Sequence, residues 1–256
     1  MPCLRRVLEA PLPRGWRLCV VVIDDASGAS SANTLDEARA VLESAHGGSA
    51  RGAPPAAGEL ARPLLAAFDV LQHAMNRGKG AALRTGFDWV LARGSDDDLV
   101  VIQDADLEYD PRDFAALIAA SQRCDAAKAP VAVYGNRWSH CGAAPSSLWR
   151  RVHRMGNATL TGASNLATGY SLSDMECCYK MMPIGLLRRI RPMLTENRFG
   201  VEPQLTAALA RIGARIDEVP VQYDARAYRQ GKKIGVRDAL RTMWVIVRER
   251  LRAPAT

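Results

Sequence analysis

The chain has 256 residues, a length that suits one large domain or two small ones. Hydrophobic residues make up 48% and charged residues 24%, which supports a full core and excludes disordered chains and small disulfide scaffolds. No stretch approaches the roughly 18 apolar residues of a membrane span, and residues 1–17 lack the apolar run of a secretory signal. The six cysteines form no Cys-x-x-Cys pair, so we expect reduced thiols, no structural zinc and a cytoplasmic location.

The net charge of +7 is concentrated toward the C-terminus. Residues 211–256 contain eleven Lys and Arg against five Asp and Glu. A basic tail can contact nucleic acid, an anionic membrane or a phosphorylated substrate. A solvated helix face gives the same surplus, so charge alone selects none of these partners.

Strand and helix patterns alternate in the first half of the chain. They predict strands at 17–23, 64–72, 99–103 and 131–134, and helices at 34–45, at 79–93 and from Pro111. This alternation is typical of an α/β fold with a mostly parallel sheet and helices on both faces. Ligands in such folds bind at the carboxyl ends of strands, where both acidic clusters, at 24–25 and 104–106, are expected.

The second half is less regular. It predicts helices at 150–160, 199–212 and 234–252, and strands at 173–180 and 215–221. The segment 47–63 is rich in Gly, Ala and Pro and is interpreted as a flexible surface loop, because the α/β alternation resumes after it. We therefore predict a single domain over 1–256.

An Asp-x-Asp sequence follows the predicted strand at 99–103. Asp104 and Asp106 point the same way if extended, and Glu108 continues the two-residue spacing. Carboxylate oxygens suit Mg²⁺ or Mn²⁺, which can in turn hold phosphates. The pattern alone is a weak signal, since surface loops often contain it, but its place at a strand end strengthens the metal interpretation.

The segment 76–80, Asn-Arg-Gly-Lys-Gly, precedes a predicted helix. Two glycines permit close backbone approach, and a helix N-terminus favours anions. The spacing differs from that of the phosphate loop of NTPases. A tight turn that carries a basic residue would explain the segment equally well.

Eight sequence motifs occur in a fixed order over nearly the whole chain. They are IDDAS (23–27), NRGKGAALRTGF (76–87), QDADLEYDP (103–111), YGNRW (134–138), DMECCYK (174–180), NRFGVEPQ (197–204), EVPVQYDARAY (218–228) and GKKIG (231–235). Together they resemble family 2 glycosyltransferases of the nucleotide-sugar-binding GT-A fold, most closely the dolichol-phosphate mannosyltransferase-like branch. No single motif would be specific by itself.

The resemblance implies a role for each matching residue. Residues implied to bind the donor are Asp24, Asp25, Gly78, Lys79, Asp104, Ala105, Lys232 and Lys233. Asp104 and Asp106 would hold Mg²⁺ or Mn²⁺, with Glu108 as a third oxygen ligand. Residues implied to take part in the reaction are Asp106, Arg137 and Arg226, the two arginines lying toward phosphates or the acceptor. Asp174 and Glu202 are further candidates from their own positions: Asp174 as a base, and Glu202 to orient the acceptor, although a helix N-terminal carboxylate explains Glu202 as well.

The implied reaction is inverting transfer of a sugar from a nucleotide-sugar such as GDP-mannose or a UDP-hexose, with no nucleic-acid partner. A polyprenyl phosphate acceptor is already ionised near pH 7 and needs no strong base. A hydroxyl acceptor would need a general base, and Asp174 or Glu176 could be that base. A structural turn with a salt bridge from one of these carboxylates to Lys180 explains the segment equally well. Cys177 and Cys178 are interpreted as packing residues, and the four histidines receive no role.

The start of the chain departs from the family pattern. The family's first strand and its Pro-x-x-Asn-Glu turn have no counterpart in the chain, which begins at what resembles the following helix. An inactive nucleotide-sugar-binding relative therefore stays open as an alternative. A sugar-phosphate nucleotidyltransferase is a second alternative, although the Gly-rich basic loop that it would need near the N-terminus is absent. The helix at 234–252 is amphipathic and basic, which favours peripheral contact with an anionic membrane, although its apolar stripe could instead pack on the sheet.

Overall fold

The computed structural model describes residues 1–28, 31–46, 60–123, 131–139, 148–224 and 236–252. Most of the expected loop at 47–63 lies outside these ranges, and so do Arg226, Lys232 and Lys233. None of the helices in the described ranges combines the length and apolarity that a bilayer crossing requires.

The elements follow the predicted order closely. The strands are β1 (Leu12–Pro13), β2 (Arg17–Asp24), β3 (Leu60–Ala61), β4 (Leu64–Gln72), β5 (Leu99–Val101), β6 (Val131–Asn136), β7 (Lys180–Pro183) and β8 (Arg215–Pro220). The helices are α1 (Pro2–Glu9), α2 (Ser31–His46), α3 (Lys79–Leu91), α4 (Phe114–Ser121), α5 (Leu148–Thr168), α6 (Ile184–Ile190), α7 (Val201–Arg211) and α8 (Val236–Leu251). The helix expected from Pro111 begins as a 3₁₀ turn over Pro111–Asp113 and continues as α4.

The main strands form two sheets. β2 pairs in parallel with β4, and a second sheet has the order β5-β7-β6-β8. β6 and β8 are parallel, whereas β7 runs antiparallel to both of its neighbours. The expectation of a mostly parallel sheet is confirmed, with β7 as the exception. β1 and β3 form a short antiparallel pair, so the end of the expected loop at 47–63 is a strand.

The predicted strand at 173–180 is wrong. Residues up to Tyr179 form a buried irregular turn, and β7 begins only at Lys180. Asp174 and Lys180 are both fully buried and have charged partners elsewhere in the fold. Asp174 pairs with Arg137 and Lys180 pairs with Glu202, so long-range ion pairs hold this segment in place.

Two apolar clusters hold the helices on the sheets. The larger cluster joins the β5-β7-β6-β8 sheet to α4, α6 and α7, through residues such as Leu117, Leu187 and Leu205. The smaller cluster packs α1 and α2 on β4, through Leu4, Leu42 and other apolar residues. Both sheets are thereby covered, and their carboxyl ends remain for the polar site.

The C-terminal helix α8 packs on α5 and α7 through a different face from the apolar stripe that the sequence indicated. Its buried residues are Thr242, Val245, Ile246 and Glu249, against α5 and α7. The apolar stripe predicted to face either the sheet or a membrane is largely exposed: Leu240, Trp244, Val247 and Leu251 are each more than half exposed. The alternative in which this stripe packs on the sheet is therefore wrong.

Candidate functional site

The acidic turn after β2 holds the turn before α3. The Asp25 carboxylate accepts hydrogen bonds from the backbone N–H groups of Arg77 at 2.9 Å and Gly78 at 2.5 Å. His73 Nδ1 lies 2.7 Å from the same carboxylate, and its Nε2 lies 2.9 Å from Thr85 Oγ1. Burial raises the pKa of Asp25, but these hydrogen bonds outweigh it and hold the pKa below its ordinary value.

Glycine is required on both sides of Lys79. Gly78 has a φ of 98°, and a Cβ there would collide with the backbone carbonyl of Asn197. A Cβ at Gly80 would collide with the backbone of Glu196. The start of α3 therefore lies directly against the loop before α7, and Lys79 is directed to a defined place.

Lys79 connects the carboxyl end of β5 to α7. Its Nζ lies 2.9 Å from Asp104 Oδ2 and 2.9 Å from Glu202 Oε1, the latter as an ion pair without a well-directed hydrogen bond. Burial lowers the pKa of the Lys79 ammonium, yet the two carboxylates outweigh it and hold the pKa well above its usual value. Burial raises the pKa of Asp104, but Lys79 more than compensates and the pKa is lowered.

The Asp-x-Asp segment forms a turn and is not extended as the sequence analysis assumed. Leu107 has a φ of 66°, and the Asp106 carboxylate accepts the Glu108 backbone N–H at 3.2 Å. Glu108 is buried and accepts a hydrogen bond from the Tyr223 hydroxyl at 3.0 Å. Within the described residues no three His, Cys, Asp or Glu side chains are grouped as metal ligands, so the expected set of Asp104, Asp106 and Glu108 is not assembled. Asp104 and Asp106 still offer the hard oxygen atoms that Mg²⁺ or Mn²⁺ requires, and such ions commonly keep waters and substrate phosphates as their other ligands.

A buried charged layer lies beneath Lys79. Lys180 Nζ lies 2.6 Å from Glu202 Oε2, donates to the Met175 carbonyl at 3.0 Å and lies over the Tyr134 ring. Among the described residues, Oε1 of Glu176 is buried without a hydrogen-bond partner. Burial, and next the Glu202 carboxylate, raise the pKa of Glu176 to about 7. Glu176 can therefore hold or release a proton near neutral pH.

Arg137 is engaged inside the protein and is almost fully buried. Its Nε and one terminal nitrogen donate to the two Asp174 oxygens at 2.7 and 2.6 Å, and it also contacts Asn157 at 3.2 Å. The salt bridge of Asp174 is therefore made with Arg137, and the alternative pairing with Lys180 is wrong. Both oxygens of Asp174 already accept hydrogen bonds from Arg137 or Asn157. Asp174 is therefore poorly placed to take a proton from the hydroxyl of a sugar acceptor.

The structure brings some of the expected site residues together and separates others. Lys79, Asp104 and Glu202 meet at one point, and Asp25 holds the adjacent turn. Asp24 caps its own turn through the backbone of Ser27 and accepts from Gln72 Nε2 at 3.0 Å. Ala105 is exposed beside Asp104.

Sequence reasoning missed two contributors to this site. His73 was given no role, yet it orients Asp25; its position at the end of a predicted strand was the available signal. Lys180 was considered only as a partner of Asp174, whereas it holds Glu202. The interpretation of Cys177 and Cys178 is consistent with the structure, because both are buried free thiols whose pKa values are raised first of all by burial.

A small hollow of about 280 Å³ lies beside the acidic turn of β2. Its lining residues are Ala26, Gly28, Gln72, His73 and Ala74. They come from the carboxyl ends of β2 and β4, which is where open α/β sheets bind ligands.

Comparisons with known proteins place the chain in a family. The family model for glycosyl transferase family 2 matches residues 2–190. The chain is 27% identical over 175 residues to an undecaprenyl-phosphate mannosyltransferase of Micrococcus luteus, covering 66% of this chain and 68% of that protein. It is 28% identical over 196 residues to a polyprenol monophosphomannose synthase of Mycolicibacterium smegmatis, covering 74% and 71%.

A solved structure shares the fold. Glucosyl-3-phosphoglycerate synthase from Mycobacterium tuberculosis, crystallised with Mn²⁺, UDP-glucose and phosphoglyceric acid, matches with a TM-score of 0.52 and 16% identity, covering 96% of this chain and 83% of that chain. At this identity the likeness concerns the GT-A fold, which agrees with the fold that the motifs imply. From the extent of the family match, the chain belongs to glycosyl transferase family 2.

Proposed function

We propose that the protein transfers a hexose, with inversion, from a nucleoside diphosphate sugar to the phosphate of a polyprenyl phosphate. The observation that carries the proposal is the meeting of Lys79, Asp104 and Glu202 at the carboxyl edge of the sheets. The relatives named as undecaprenyl-phosphate and polyprenol mannosyl transferases support this acceptor class and favour a mannose donor.

Asp104 and Asp106 are the residues that would hold Mg²⁺ or Mn²⁺ with the donor pyrophosphate. A bound divalent ion would supply positive charge to the departing diphosphate. Lys79 holds Asp104 in place and adds a further positive charge next to it. The hollow beside Asp24 and Asp25 is the proposed place of the nucleoside.

A phosphate acceptor also agrees with the state of Asp174. Its carboxylate is occupied by Arg137 and Asn157, so it is not free to act as a general base. A polyprenyl phosphate carries its nucleophilic oxygen already ionised and needs no such base. Arg137 accordingly acts as a positioning residue for the turn at 174–179, and not as a phosphate ligand.

The exposed stripe of α8 supports contact with an anionic membrane surface, where such an acceptor would be found. Arg241 and Arg248 lie over the Trp244 ring at 5.1 and 4.8 Å, so basic and apolar groups share this surface. Apolar side chains with neighbouring arginines suit the interface of an anionic bilayer.

The test is transfer of labelled hexose to a short-chain polyprenyl phosphate, with GDP-mannose and UDP-glucose as separate donors. Each reaction is run with Mg²⁺, with Mn²⁺ and with EDTA. We expect product only with a divalent ion. Asp106→Asn should abolish it, while Asp36→Asn, an exposed carboxylate on α2, should leave it unchanged. Full activity in EDTA or in the Asp106 variant would overturn the metal assignment, and no transfer with either donor would overturn the proposed reaction.

A further inference from the structure

Three arginines lie close together where α3 meets the loop before α7. Arg84 donates from one terminal nitrogen to Asn197 Oδ1 at 2.6 Å, and Arg198 follows Asn197 in the chain. A Cβ at Gly78 would lie 2.8 Å from Cγ of Arg198, so the stem of Arg198 packs on the turn that carries Arg77. Arg77 and Arg198 are exposed, and Arg84 is partly buried. These three residues form the arginine patch.

The described carboxylates leave the arginine patch unpaired. Within the described ranges, none of its three arginines forms an ion pair with an acidic side chain. Two carboxylates act electrostatically on Arg84, and both already have other partners. Asp88 pairs with Arg191 at 2.7 Å. Glu196 pairs with Arg241 at 3.0 Å. The positive charge of the patch is therefore available to an anion from outside the chain.

The charges around Arg84 also repel one another. Burial lowers the pKa of Arg84 most, and the positive charges of Arg191 and Arg77 lower it further. The opposing effect of Asp88 and Glu196 is smaller, so the net shift is downward. A guanidinium group nevertheless stays protonated at neutral pH. An external anion at the patch would offset this repulsion.

Glu196 connects the arginine patch to α8. Its buried carboxylate pairs with Arg241 at 3.0 Å and also with Arg248. Its backbone carbonyl accepts a hydrogen bond from Arg84. Both of these α8 arginines lie over the ring of Trp244, which is 52% exposed. The patch is therefore continuous with the exposed stripe of α8.

On the basis of the proposed function, which brings a polyprenyl phosphate to the site, we propose that the arginine patch and the exposed stripe of α8 form one membrane-binding face. The partner of the patch is the layer of phosphate groups of an anionic phospholipid bilayer. Guanidinium groups suit this partner because each can donate two parallel hydrogen bonds to a phosphate. The apolar stripe enters the adjacent boundary of the acyl chains.

The mixture of groups on this face favours a bilayer over other anions. Leu240 and Trp244 of the stripe are each more than half exposed. A nucleic-acid backbone would pair with the arginines but would leave these apolar side chains in water, whereas a bilayer interface accepts both kinds of group. A discrete site for a small anion would have buried donors, whereas Arg77 and Arg198 are exposed.

This membrane-binding face would place the candidate site at the level of the lipid headgroups. The backbone N–H of Arg77 donates to Asp25 at 2.9 Å, so the patch begins at the turn that Asp25 holds. Two residues further along the chain, Lys79 contacts Asp104. An acceptor anchored in the bilayer would then reach the site with its phosphate while its hydrocarbon chain stays in the membrane.

The test is co-sedimentation of the full chain with phosphatidylcholine vesicles that contain phosphatidylglycerol as the anionic lipid. Arg77→Gln combined with Arg198→Gln removes two exposed charges of the patch. Partitioning at low salt should weaken by about 25-fold, since each arginine near an anionic surface contributes about fivefold. Arg62→Gln combined with Arg123→Gln removes the same charge from exposed positions outside the patch, and it should weaken partitioning by less than about threefold.

Equal weakening by the two double variants would show an effect of net charge alone and would overturn the proposal. Urea unfolding of both variants checks that neither has lost the fold. Arg77→Gln alone, with an expected weakening of about fivefold, decides the point if the double variant is unstable.

Two further measurements distinguish a bilayer from other anionic partners. Phosphate and chloride buffers of equal ionic strength should release the protein from the vesicles equally, because they screen the surface to the same extent. Much stronger release by phosphate would reveal a discrete anion site. Tighter binding to a short DNA duplex than to the vesicles would reveal a nucleic-acid surface. Either result would overturn the proposal.

Transfer of labelled hexose to a short-chain polyprenyl phosphate, without vesicles, tests the reaction separately. Transfer by a parent chain that fails to bind anionic vesicles would overturn the membrane-binding face and leave the reaction standing. Vesicle binding that depends on Arg77 and Arg198, with no transfer from either donor, would support the face and overturn the reaction.

Discussion

Lys79 lies with its ammonium group 2.9 Å from the Asp104 carboxylate, although the two residues belong to different elements and lie 25 positions apart. The contact joins the first residue of α3 to the turn after β5. Since Lys79 also contacts Glu202, one ammonium group fixes the relative positions of three segments. This is the central electrostatic connection of the candidate site.

We predict that Lys79 and Asp104 are energetically coupled. A double-mutant cycle with Lys79→Met and Asp104→Asn, measured by urea unfolding, should give a coupling energy of about 1 kcal/mol or more, because the pair is part-buried. The exposed pair of Arg188 and Asp96, 3.0 Å apart, is the matched control and should give about 0.5 kcal/mol or less. Equal coupling in the two cycles would contradict this account of the site.

The Arg137–Asp174 pair leads to a prediction about stability. Arg137→Lys should lower the free energy of unfolding by about 2 kcal/mol, because lysine cannot reproduce the two-pronged contact with Asp174 and the contact with Asn157. Arg112 also donates from two nitrogens to one carboxylate, in this case to a single oxygen of Asp110, but it is exposed. Arg112→Lys should therefore change stability by less than about 0.5 kcal/mol.

Chemical denaturation of both variants, together with transfer assays, decides this point. If Arg137→Lys keeps the stability of the parent but loses turnover, Arg137 contacts the substrate as the family resemblance implies, and the positioning role is wrong.

The pKa of Glu176 leads to a prediction about pH. In the folded protein, burial and Glu202 raise the pKa of this carboxyl from 4.5 to about 7. A raised folded-state pKa contributes stability that is fully present below pH 4.5 and is lost as the pH rises toward 7. Glu176→Gln removes this dependence. The free energy of unfolding of the variant, relative to that of the parent, should therefore rise by about 2 kcal/mol from pH 5 to pH 8, after allowance for partial exposure.

Thermal and urea unfolding at both pH values would measure this gain. Glu43→Gln, on α2, is a suitable control and should show no such change between the two pH values. A difference between parent and Glu176→Gln that is independent of pH would show that Glu176 is ionised throughout.

The sequence predicted the parallel strands and the acidic strand ends well, because these features depend on local apolar runs and on the general geometry of α/β sheets. β4 begins and ends where its pattern indicates, and α2 and α3 lie within a few residues of their predicted bounds. The segment 173–180 was misread because Arg137 and Glu202, the partners of Asp174 and Lys180, are distant in sequence. The same reason explains Glu108, whose carboxylate contacts Tyr223, 115 positions away. Long-range pairing of buried charges leaves no periodic signal in the sequence.

The glycines that flank Lys79 lead to a further prediction. Gly80→Ala should destabilise the protein by about 2 kcal/mol, because the new Cβ collides with the backbone of Glu196, which cannot move as a side chain can. At Gly156, within α5, a new Cβ would have no atom of the described residues within 4 Å beyond its chain neighbours and the backbone of its own helix. Gly156→Ala should stabilise the protein by about 0.5–1 kcal/mol, because alanine is the better helix former. Urea unfolding should therefore give changes of opposite sign in the free energy of unfolding of the two variants. Changes of the same sign would contradict the close packing of α3 on the loop before α7.

The last prediction concerns the exposed stripe of α8. Trp244→Ser combined with Leu251→Ser should reduce binding to vesicles of anionic lipid by about tenfold or more, because each buried apolar side chain contributes about 1.5–3 kcal/mol. Met155→Ser is the matched control, since Met155 is an equally exposed apolar residue but lies on α5. Co-sedimentation at low and high salt separates the two contributions: arginine attraction weakens with salt, whereas apolar insertion persists. If the parent fails to bind anionic vesicles at low salt, or if the α5 variant loses as much binding as the α8 variant, the stripe is not a membrane-binding surface.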